Sequence, residues 1–444
     1  MTVAPTLLMH PHTGRQLKRR TSKVSTSGGY ASISATISIV ALSLTTLRLG
    51  ELFGAARFIK PVFLATIVGL AAHVLLTKSP AWSRLWHSKV FRLVLLYCFT
   101  VIASFPLSIW KGQTWSTIMV LPWAVSLVVI LGLTKPALAD IDRISKWMAW
   151  MTAIVAGALM TKGAVVEGTR LTSSGSYDPN DLGALFAFTL PFALAAALRG
   201  GWPSRLLSIG ASVVLFSALM KTGSRGALVG LGCGLVIFLF SFRMRTIVLV
   251  LAVFVVAVPA VIPVLPQTMR DRAATLMSLD EDYNTTSNSG RVYLWKRGIV
   301  FALENPLLGL GAGTFEAQVG NDFRSQQVVG AWHTAHNTYV QVAAELGFIG
   351  LSSLLGLLLI SGRDAVKLWG WKSKIHRPEY LAGLLAYMAC IFFLSHAYSY
   401  ILFAVFGLSI LLNSFVEAPI EENSNRQRRG LHDAEARNAR RSWA

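Results

Sequence analysis

Charged side chains are scarce in this sequence. Aspartate, glutamate, lysine and arginine make up 14% of its 444 residues, whereas hydrophobic residues make up 53%. A soluble globular protein carries about 25% charged residues, so the composition excludes an ordinary soluble domain. The apolar residues fall in runs of roughly 20, the length that a helix needs to cross a bilayer. The sequence therefore predicts an all-α polytopic membrane protein.

Cysteine is also scarce, and its placement excludes two kinds of site. Cys98, Cys233 and Cys390 lie in three different apolar runs, where a free cysteine behaves as a small buried hydrophobe. They predict neither a disulfide framework nor a metal centre. The glycine turn 307–313 lacks the strand–turn–helix context of a dinucleotide-binding sequence. No Walker sequence accompanies it, so we expect no ATP-driven chemistry and no cofactor.

About twelve apolar segments have the hydropathy of membrane spans. They are 29–49, 58–77, 91–109, 115–133, 146–161, 181–198, 206–221, 226–242, 246–265, 340–361, 378–396 and 399–416. Segments 146–161 and 206–221 are short enough to be re-entrant or tilted. The chain then divides into a disordered basic tail at 1–28, spans over 29–265, an external loop at 266–339, spans over 340–416 and a second tail at 417–444.

The basic residues predict the orientation in the membrane. With the N-terminus in the cytoplasm, 27 of the 41 lysines and arginines fall in cytoplasmic segments, as the positive-inside rule requires. Both termini are then cytoplasmic. The net charge of +20 is explained mostly by these basic cytoplasmic segments. The sequence contains no motif that indicates nucleic-acid binding. The first apolar run begins after a long polar segment, so we expect an uncleaved first span in place of a signal peptide.

The loop 266–339 is the longest polar interval of the chain. Loops of this length are usually functional or linkers. Residues 289–304 within it have the pattern of an amphipathic helix, which Asn305-Pro306 ends. Its apolar side chains are expected on the membrane or on the roof of the bundle; they are Val292, Trp295, Ile299, Phe301 and Ala302.

His336 is the strongest candidate for chemistry, because it ends this loop directly before an apolar span. A histidine with its ordinary pKa of about 6.5 can accept a proton at neutral pH, as a general base does. The alternative is a helix-end histidine that only hydrogen-bonds a carbonyl. Asn337 is expected to cap the span that follows. His333 would share a face with His336 in a helix, but no third ligand lies nearby in sequence, so we expect no metal.

Glu345 is a carboxylate within an apolar segment. Burying a carboxylate in a membrane costs free energy, so such a residue is by default a candidate for a functional role. It lies nine positions after His336, half a turn out of phase on a helix. Glu345 therefore does not orient His336 through their common helix. We expect it to face another helix of the bundle, and the alternative is an ion pair with an arginine of a neighbouring span.

Several arginines are predicted on the external side. Arginine binds phosphate oxygens through a planar pair of N–H donors. Arg225 lies in a tight turn between two spans, where the positive-inside rule disfavours it, Arg291 begins the loop helix, and Arg170 lies in the loop 162–180. Together they favour an anionic ligand such as a diphosphate. The alternatives are an interface anchor for Arg225 and a solvated helix face for Arg291; weaker candidates are Arg297, Arg270, Arg272 and Arg324.

Two acidic segments have competing interpretations. Asp178 and Asp181 precede the sixth span, where aspartate and Pro179 fit a helix cap and turn. The alternative is a carboxylate that positions an acceptor hydroxyl. Residues 280–282 contain an Asp-x-Asp pair, which holds a metal in transferases that use nucleotide sugars. Such sugars are not expected outside the cytoplasmic membrane, so we interpret the segment as a solvated loop. Trp295 and Trp332 are weak candidates for sugar stacking.

Four of these motifs together resemble a known family. They are Thr222-Gly-Ser-Arg225-Gly, Gly290-Arg291-x-x-x-Trp295, the glycine segment from Asn305 to Gly313, and His336-Asn337-x-Tyr339 followed by Glu345-x-Gly347. With about twelve spans and one large external loop, the pattern resembles the bacterial O-antigen ligase and polymerase superfamily. The resemblance covers roughly residues 160–360 by motif and the whole chain by topology.

The resemblance implies a GT-C-like glycosyltransferase in the bacterial cytoplasmic (inner) membrane, with its site facing the periplasm. The donor would be a glycan on undecaprenyl diphosphate. The acceptor would be a sugar hydroxyl on lipid A core, on another lipid-linked glycan or on a protein. His336 would be the general base, Arg225 and Arg291 would bind the diphosphate with Arg170 as a third, and no metal would be needed. Membrane lipids and polysaccharide assembly proteins are candidate partners.

Other classes stay open at this point. A transporter or flippase of lipid-linked oligosaccharide would place charges along its spans and have related halves, and the sequence has no convincing internal repeat. A purely structural membrane subunit leaves the long loop unexplained. Within the enzyme class, ligase, polymerase and protein O-oligosaccharyltransferase differ in their acceptor. The block from Asp178 to Asp181 and the moderate loop length favour a polymerase of surface or exopolysaccharide units.

Overall fold

The computed structural model describes residues 28–47, 61–76, 82–134, 138–162, 164–166, 170–172, 178–244, 248, 290–325, 332–370 and 376–413. The predicted tails, nearly all of the ninth span and loop residues 266–289 lie outside this part of the chain. The described residues are mostly helical, as predicted.

The first half of the chain supplies nine helices and one hairpin in its described residues. These are α1 (Gly28–Leu47), α2 (Pro61–Leu76), α3 (Trp82–His87), α4 (Lys89–Ala103), α5 (Lys111–Leu133), α6 (Leu138–Lys162), β1 (Ala164–Val166), β2 (Arg170–Thr172), α7 (Pro179–Arg199), α8 (Trp202–Thr222) and α9 (Arg225–Phe240). The antiparallel β1–β2 pair was not predicted from the sequence. It lies in the loop before α7, which the sequence predicts to be external, and it carries Arg170.

The second half supplies five described helices. These are α10 (Arg291–Glu304), α11 (Phe315–Ser325), α12 (Thr338–Trp369), α13 (Pro378–Ile391) and α14 (Tyr400–Asn413). Apart from the ninth, every predicted span overlaps one of the helices. Within the described residues, α5, α6, α7, α8 and α12 are long and apolar enough to cross a membrane, and α9, α13 and α14 are shorter apolar helices. Because α6 and α8 contain the two short segments, neither segment needs a re-entrant arrangement.

The helix α9 packs closely on α13, and together they form one wall of the bundle at the end where the predicted external segments lie. Gly230 and Gly234 of α9 lie against α13, where an added Cβ would come within 2.6 Å of the Ala386 carbonyl and 2.7 Å of the Ala382 carbonyl. Small residues four positions apart allow helix backbones to approach this closely. The first turn of α9 is therefore held beside the C-terminal end of α13.

The helix α12 is broken at Gly347, whose φ of 66° and ψ of −166° are not helical. The glycine segment 305–313 pairs with the break: the Leu310 N–H donates to the Ala344 carbonyl at 2.9 Å, and the Phe348 N–H donates to the Pro306 carbonyl at 2.7 Å. A Cβ on Gly347 would lie 2.4 Å from the Leu307 carbonyl oxygen. The glycines of both motifs thus permit a backbone-to-backbone contact between the loop and α12.

Segments predicted to be external meet at one end of the bundle. The turn after α4 contacts the loop through the Ile109 N–H, which donates to the Leu310 carbonyl at 3.0 Å. At the other end, segments predicted to be cytoplasmic join through ion pairs of Arg199 with Glu379 and of Arg377 with Asp142. The two predicted sides are therefore opposite ends of one bundle.

One sequence prediction needs correction here. The predicted span 378–396 is too long, because α13 ends at Ile391 and residues 392–399 form a non-helical turn before α14. On α10, Leu294, Gly298, Phe301 and Ala302 are buried, whereas Ile299 is 53% exposed. The helix packs on α12 and α11, since a Cβ on Gly298 would meet Val340 and Phe315.

Candidate functional site at the external end of the bundle

The helix α10 begins at Arg291 and delivers two side chains to the site. Trp295 lies one turn after Arg291, and its indole N–H donates to the Ala335 carbonyl at 3.0 Å. The Trp295 ring also stands edge-on to Phe392, with centroids 5.3 Å apart. Trp295 therefore connects the segment before His336 with the turn after α13.

His336 has the one positive φ of a non-glycine residue in the described part of the chain, at 45°. A left-handed conformation of this kind costs about 1–3 kcal/mol and persists only when the surroundings enforce it. The His336 N–H donates to the Ser395 hydroxyl at 2.9 Å. Asn337, the N-cap of α12, accepts hydrogen bonds from the Tyr339 and Val340 amides. The strained peptide is thus fixed from both sides.

The charges around His336 act on its basicity in opposite directions. The pKa of His336 is lowered to about 4, chiefly by burial and also by the Arg291 guanidinium and His333. Asp178 and Asp181 oppose this by raising the pKa. The net result is a neutral imidazole at pH 7, which is the protonation state that a general base needs.

The two aspartates belong to the start of α7. Asp178 is the N-cap, and its Oδ1 accepts from the Asn180 and Asp181 amides at 2.7 and 2.9 Å. Arg170 donates from Nε to the Thr222 carbonyl and from Nη2 to Asn180 Oδ1, both at 2.9 Å. Arg170 therefore ties the hairpin to the start of α7 and the end of α8.

Arg225 is the first residue of α9. Ser224 caps this helix by accepting from the Ala227 amide at 3.3 Å. Gly226 lies against Phe393 of the turn after α13, where an added Cβ would be 3.0 Å from the Phe393 side chain. The glycine after Arg225 thus permits close contact between the two turns.

These elements surround a small cleft. It is lined by Asn180, Ser224, Gly226, Ala227, Arg291, Cys390, Phe393 and Leu394. The helices α7, α9 and α10 all begin at its walls. Arg291 and the N-terminal turns of α9 and α10 bring positive charge to the cleft, whereas the Asp178 carboxylate already accepts from the first amides of α7. The neighbours of Arg225 in the chain, Ser224 and Gly226, line the cleft together with Arg291, and Arg291 acts electrostatically on His336.

Sequence reasoning missed His396, because it assigned 392–396 to a span. The imidazole Nε2 lies 2.8 Å from Asp181 Oδ1, and Nδ1 lies 3.0 Å from the Tyr387 hydroxyl. The His396 side chain is only 6% exposed. The signal was present as a histidine flanked by serines and tyrosines within an apolar run, a pattern that marks functional residues in membranes.

Glu345 is buried and acts on the loop. Its carboxylate accepts from the Gly313 and Phe315 amides at 2.9 and 3.1 Å and from the Tyr398 hydroxyl at 2.7 Å. It thereby caps the start of α11 and joins it to the turn 392–399. Within the described residues its hydrogen bonds come from these groups and from Gln341, so the arginine partner considered from the sequence is absent there.

The remaining candidates lie away from the cleft. Residues 332–337 are not helical, so His333 shares no helical face with His336; its ring is 6.0 Å from that of Phe323. Arg297 pairs with Asp322 and joins α10 to α11. Trp332 contacts Trp110, and Arg324 is exposed in the last turn of α11. Arg270, Arg272 and the segment 280–282 lie outside the described residues.

Comparison with protein families gives one match. Residues 183–355 match the family model described as O-antigen ligase. The matched region contains Arg225, Arg291, His336 and Glu345, whereas Arg170 and the start of α7 precede it and His396 follows it. A comparison with curated proteins finds no match.

Proposed function

This chain belongs to the O-antigen ligase and polymerase superfamily, and we propose that it transfers a glycan from undecaprenyl diphosphate to a sugar hydroxyl at the periplasmic face of the cytoplasmic membrane. Membership supports a glycosyltransferase-like role in polysaccharide assembly. The lipid-linked donor, the metal-independent reaction and the orientation in the membrane are parts of the proposal.

One observation carries the proposal: a neutral, half-buried histidine stands beside a cleft with an arginine in its wall. Arg291 both lines the cleft and acts electrostatically on His336. The first turn of α9, with Arg225, forms the opposite wall. A diphosphate leaving group in the cleft would therefore lie next to the imidazole that receives the proton of the acceptor.

The reaction that this arrangement supports has balanced steps. The acceptor hydroxyl oxygen forms a bond to the anomeric carbon of the donor, and the bond from that carbon to the diphosphate oxygen breaks. The hydroxyl proton passes to the His336 imidazole. The negative charge that develops on the departing diphosphate is met by Arg291, Arg225 and the helix N-termini, which are fixed before the reaction begins. The lipid-linked bond itself supplies the driving force.

The acceptor separates the members of this reaction class. We propose a polymerase that joins surface or exopolysaccharide repeat units, with attachment to lipid A core or to a protein as the alternatives. The Asp178–Asp181 block beside His336 supports this proposal, because its carboxylates can accept hydrogen bonds from sugar hydroxyls. No contact within the described residues favours the transporter alternative.

The experiment is complementation of a strain that lacks this protein, with surface glycan separated on a gel and membrane expression checked. We expect wild type and His87→Ala to restore long chains, because His87 is exposed on α3 at the predicted cytoplasmic end. We expect His336→Ala to accumulate lipid-linked single units. A ladder of chain lengths indicates polymerisation, and a single shift of the lipid A core band indicates ligation. Full-length chains with His336→Ala would contradict the proposal.

A further inference from the structure

The turn between α13 and α14, residues 392–399, holds the start of α12 by three hydrogen bonds. The His336 N–H donates to the Ser395 hydroxyl at 2.9 Å. The Thr338 hydroxyl donates to the Leu394 carbonyl at 2.7 Å and accepts from the His396 N–H at 2.9 Å. The turn and the base-bearing segment therefore move as one unit.

The His396 side chain connects this unit to two further helices. Its ring reaches Asp181 of α7 through Nε2 and Tyr387 of α13 through Nδ1. Tyr387 is fully buried, so the ring is anchored at its inner side. Asp181 is 23% exposed and is one of the charges that act on His336.

Both ring nitrogens of His396 have a hydrogen-bond partner. An ionised carboxylate only accepts, so Nε2 donates in the hydrogen bond to Asp181. Nδ1 shares a hydrogen bond with the Tyr387 hydroxyl.

We propose that His396 is a positioning residue: it fixes the Asp181 carboxylate beside His336 and, through its own turn, fixes the His336 peptide beside the cleft. The inference rests on the proposed function. His396 is not among the residues that line the cleft. Its effect on the reaction passes through Asp181 and through the Ser395 and Thr338 contacts.

Two variants separate geometry from charge. His396→Phe keeps an aromatic ring and removes both side-chain hydrogen bonds. Asp181→Asn keeps an oxygen that accepts from His396 Nε2 and removes the charge. A third variant, His396→Gln, places an amide N–H within reach of Asp181 and tests whether that hydrogen bond restores the activity lost in His396→Phe. His376→Phe is the matched control, because His376 lies beside Phe242 at the opposite end of the bundle.

The assay uses the full chain in lipid nanodiscs, with the lipid-linked fraction extracted from membranes of the deletion strain as donor and acceptor. We expect His396→Phe to lower kcat on the order of 10²-fold, with KM within about twofold, and His396→Gln to recover part of the loss. We expect Asp181→Asn to move the acid limb of the kcat/KM profile to lower pH. The charged or titratable groups that act on His336 are Arg291, His333, Asp178 and Asp181, and this variant removes one that raises its basicity.

Each result decides the question. A folded His396→Phe protein with the kcat of His376→Phe would overturn the inference. If His396→Phe does not fold, an unchanged acid limb in Asp181→Asn overturns it and a shifted limb supports it. Transfer by wild type and its loss in His336→Ala show that the proposed function stands whatever His396 does. Absence of transfer by wild type contradicts the proposed function, and the inference with it.

Discussion

At the residue scale, the candidate site combines one histidine, the proposed base, with arginine side chains. His336 is held in a left-handed backbone conformation by the Ser395 hydroxyl and by the Asn337 cap. Arg291 occupies a position from which it acts on both His336 and the cleft. Strain at a non-glycine residue is typical of functional sites, where surrounding contacts over-determine the conformation.

Replacement of Arg291 tests the anion cleft. We expect Arg291→Ala to lower kcat/KM by about 10²–10³-fold, the usual effect of removing one group that stabilises developing charge. Arg291→Lys should recover part of this, since lysine keeps the charge and loses the paired donors. Turnover of the extracted lipid-linked fraction is the measurement. Arg324→Ala is the control, and an equal loss in that variant would mean that general positive charge is sufficient.

The pH dependence follows from the direction of the His336 pKa. Burial lowers this pKa to about 4 in the free protein, so the imidazole is unprotonated above that value and becomes protonated as the pH falls through it. We expect kcat/KM to be flat from pH 7 down to about 5 and to fall near pH 4. A bound diphosphate adds negative charge and raises the pKa, so the acid limb of kcat should lie at higher pH. An acid limb of kcat/KM at or above pH 6.5 would contradict this account of the site.

At the scale of elements, the glycine segment and the broken helix α12 are one structure. Gly309 and Gly347 both have positive φ, and each lies where a side chain would strike the opposite backbone. Glu345 lies two residues before Gly347 on α12, and its carboxylate caps the start of α11. The three features together fix the loop helices relative to the helix that follows His336.

Substitution of Gly347 tests this joint. We expect Gly347→Ala to reduce the melting temperature and the yield of folded protein, because alanine strains the positive φ and its Cβ meets the Leu307 carbonyl. Gly232→Ala in α9 is the control, since nothing lies within 4 Å of an added Cβ there. Thermal unfolding of both proteins in detergent is the measurement. Equal melting temperatures would show that the break in α12 does not depend on glycine.

The sequence predicts single elements better than their joints. Hydropathy locates the helices because burial in a membrane or a helical core needs long apolar runs. Hydropathy wrongly placed residues 392–396 in a span, because an apolar run does not reveal that its last residues form a turn. Two hydrogen-bond partners of Glu345 could not be predicted either, because they are the backbone amides of Gly313 and Phe315, which no side-chain pattern marks.

At the scale of the whole molecule, the chain is a bundle with two different ends. Ion pairs close the end predicted to be cytoplasmic, and the cleft and loop helices occupy the other. The sequence singled out His336, Arg225 and Arg291, because base chemistry and phosphate binding restrict the residue types. Their convergence could not be predicted, since they come from three separate helix ends.

Cysteine labelling tests the predicted orientation. We expect Ser325→Cys on α11 to react with an impermeant maleimide in spheroplasts, because α11 belongs to the predicted periplasmic loop. Arg205→Cys on α8 should react only after the membrane is opened. Both positions are exposed, and both variants are made in a protein without its three native cysteines. Labelling of Arg205→Cys alone in sealed spheroplasts would reverse the topology.

The central claim is that His336 takes the acceptor proton beside the anion cleft. Its most direct test is the single-turnover rate of glycan transfer by purified full-length protein with the extracted lipid-linked donor, comparing wild type with His336→Ala. The account predicts donor binding in both proteins and a transfer rate in the variant lower by about 10²–10⁴-fold, the usual contribution of a general base. An unchanged rate in a folded His336→Ala protein would contradict it.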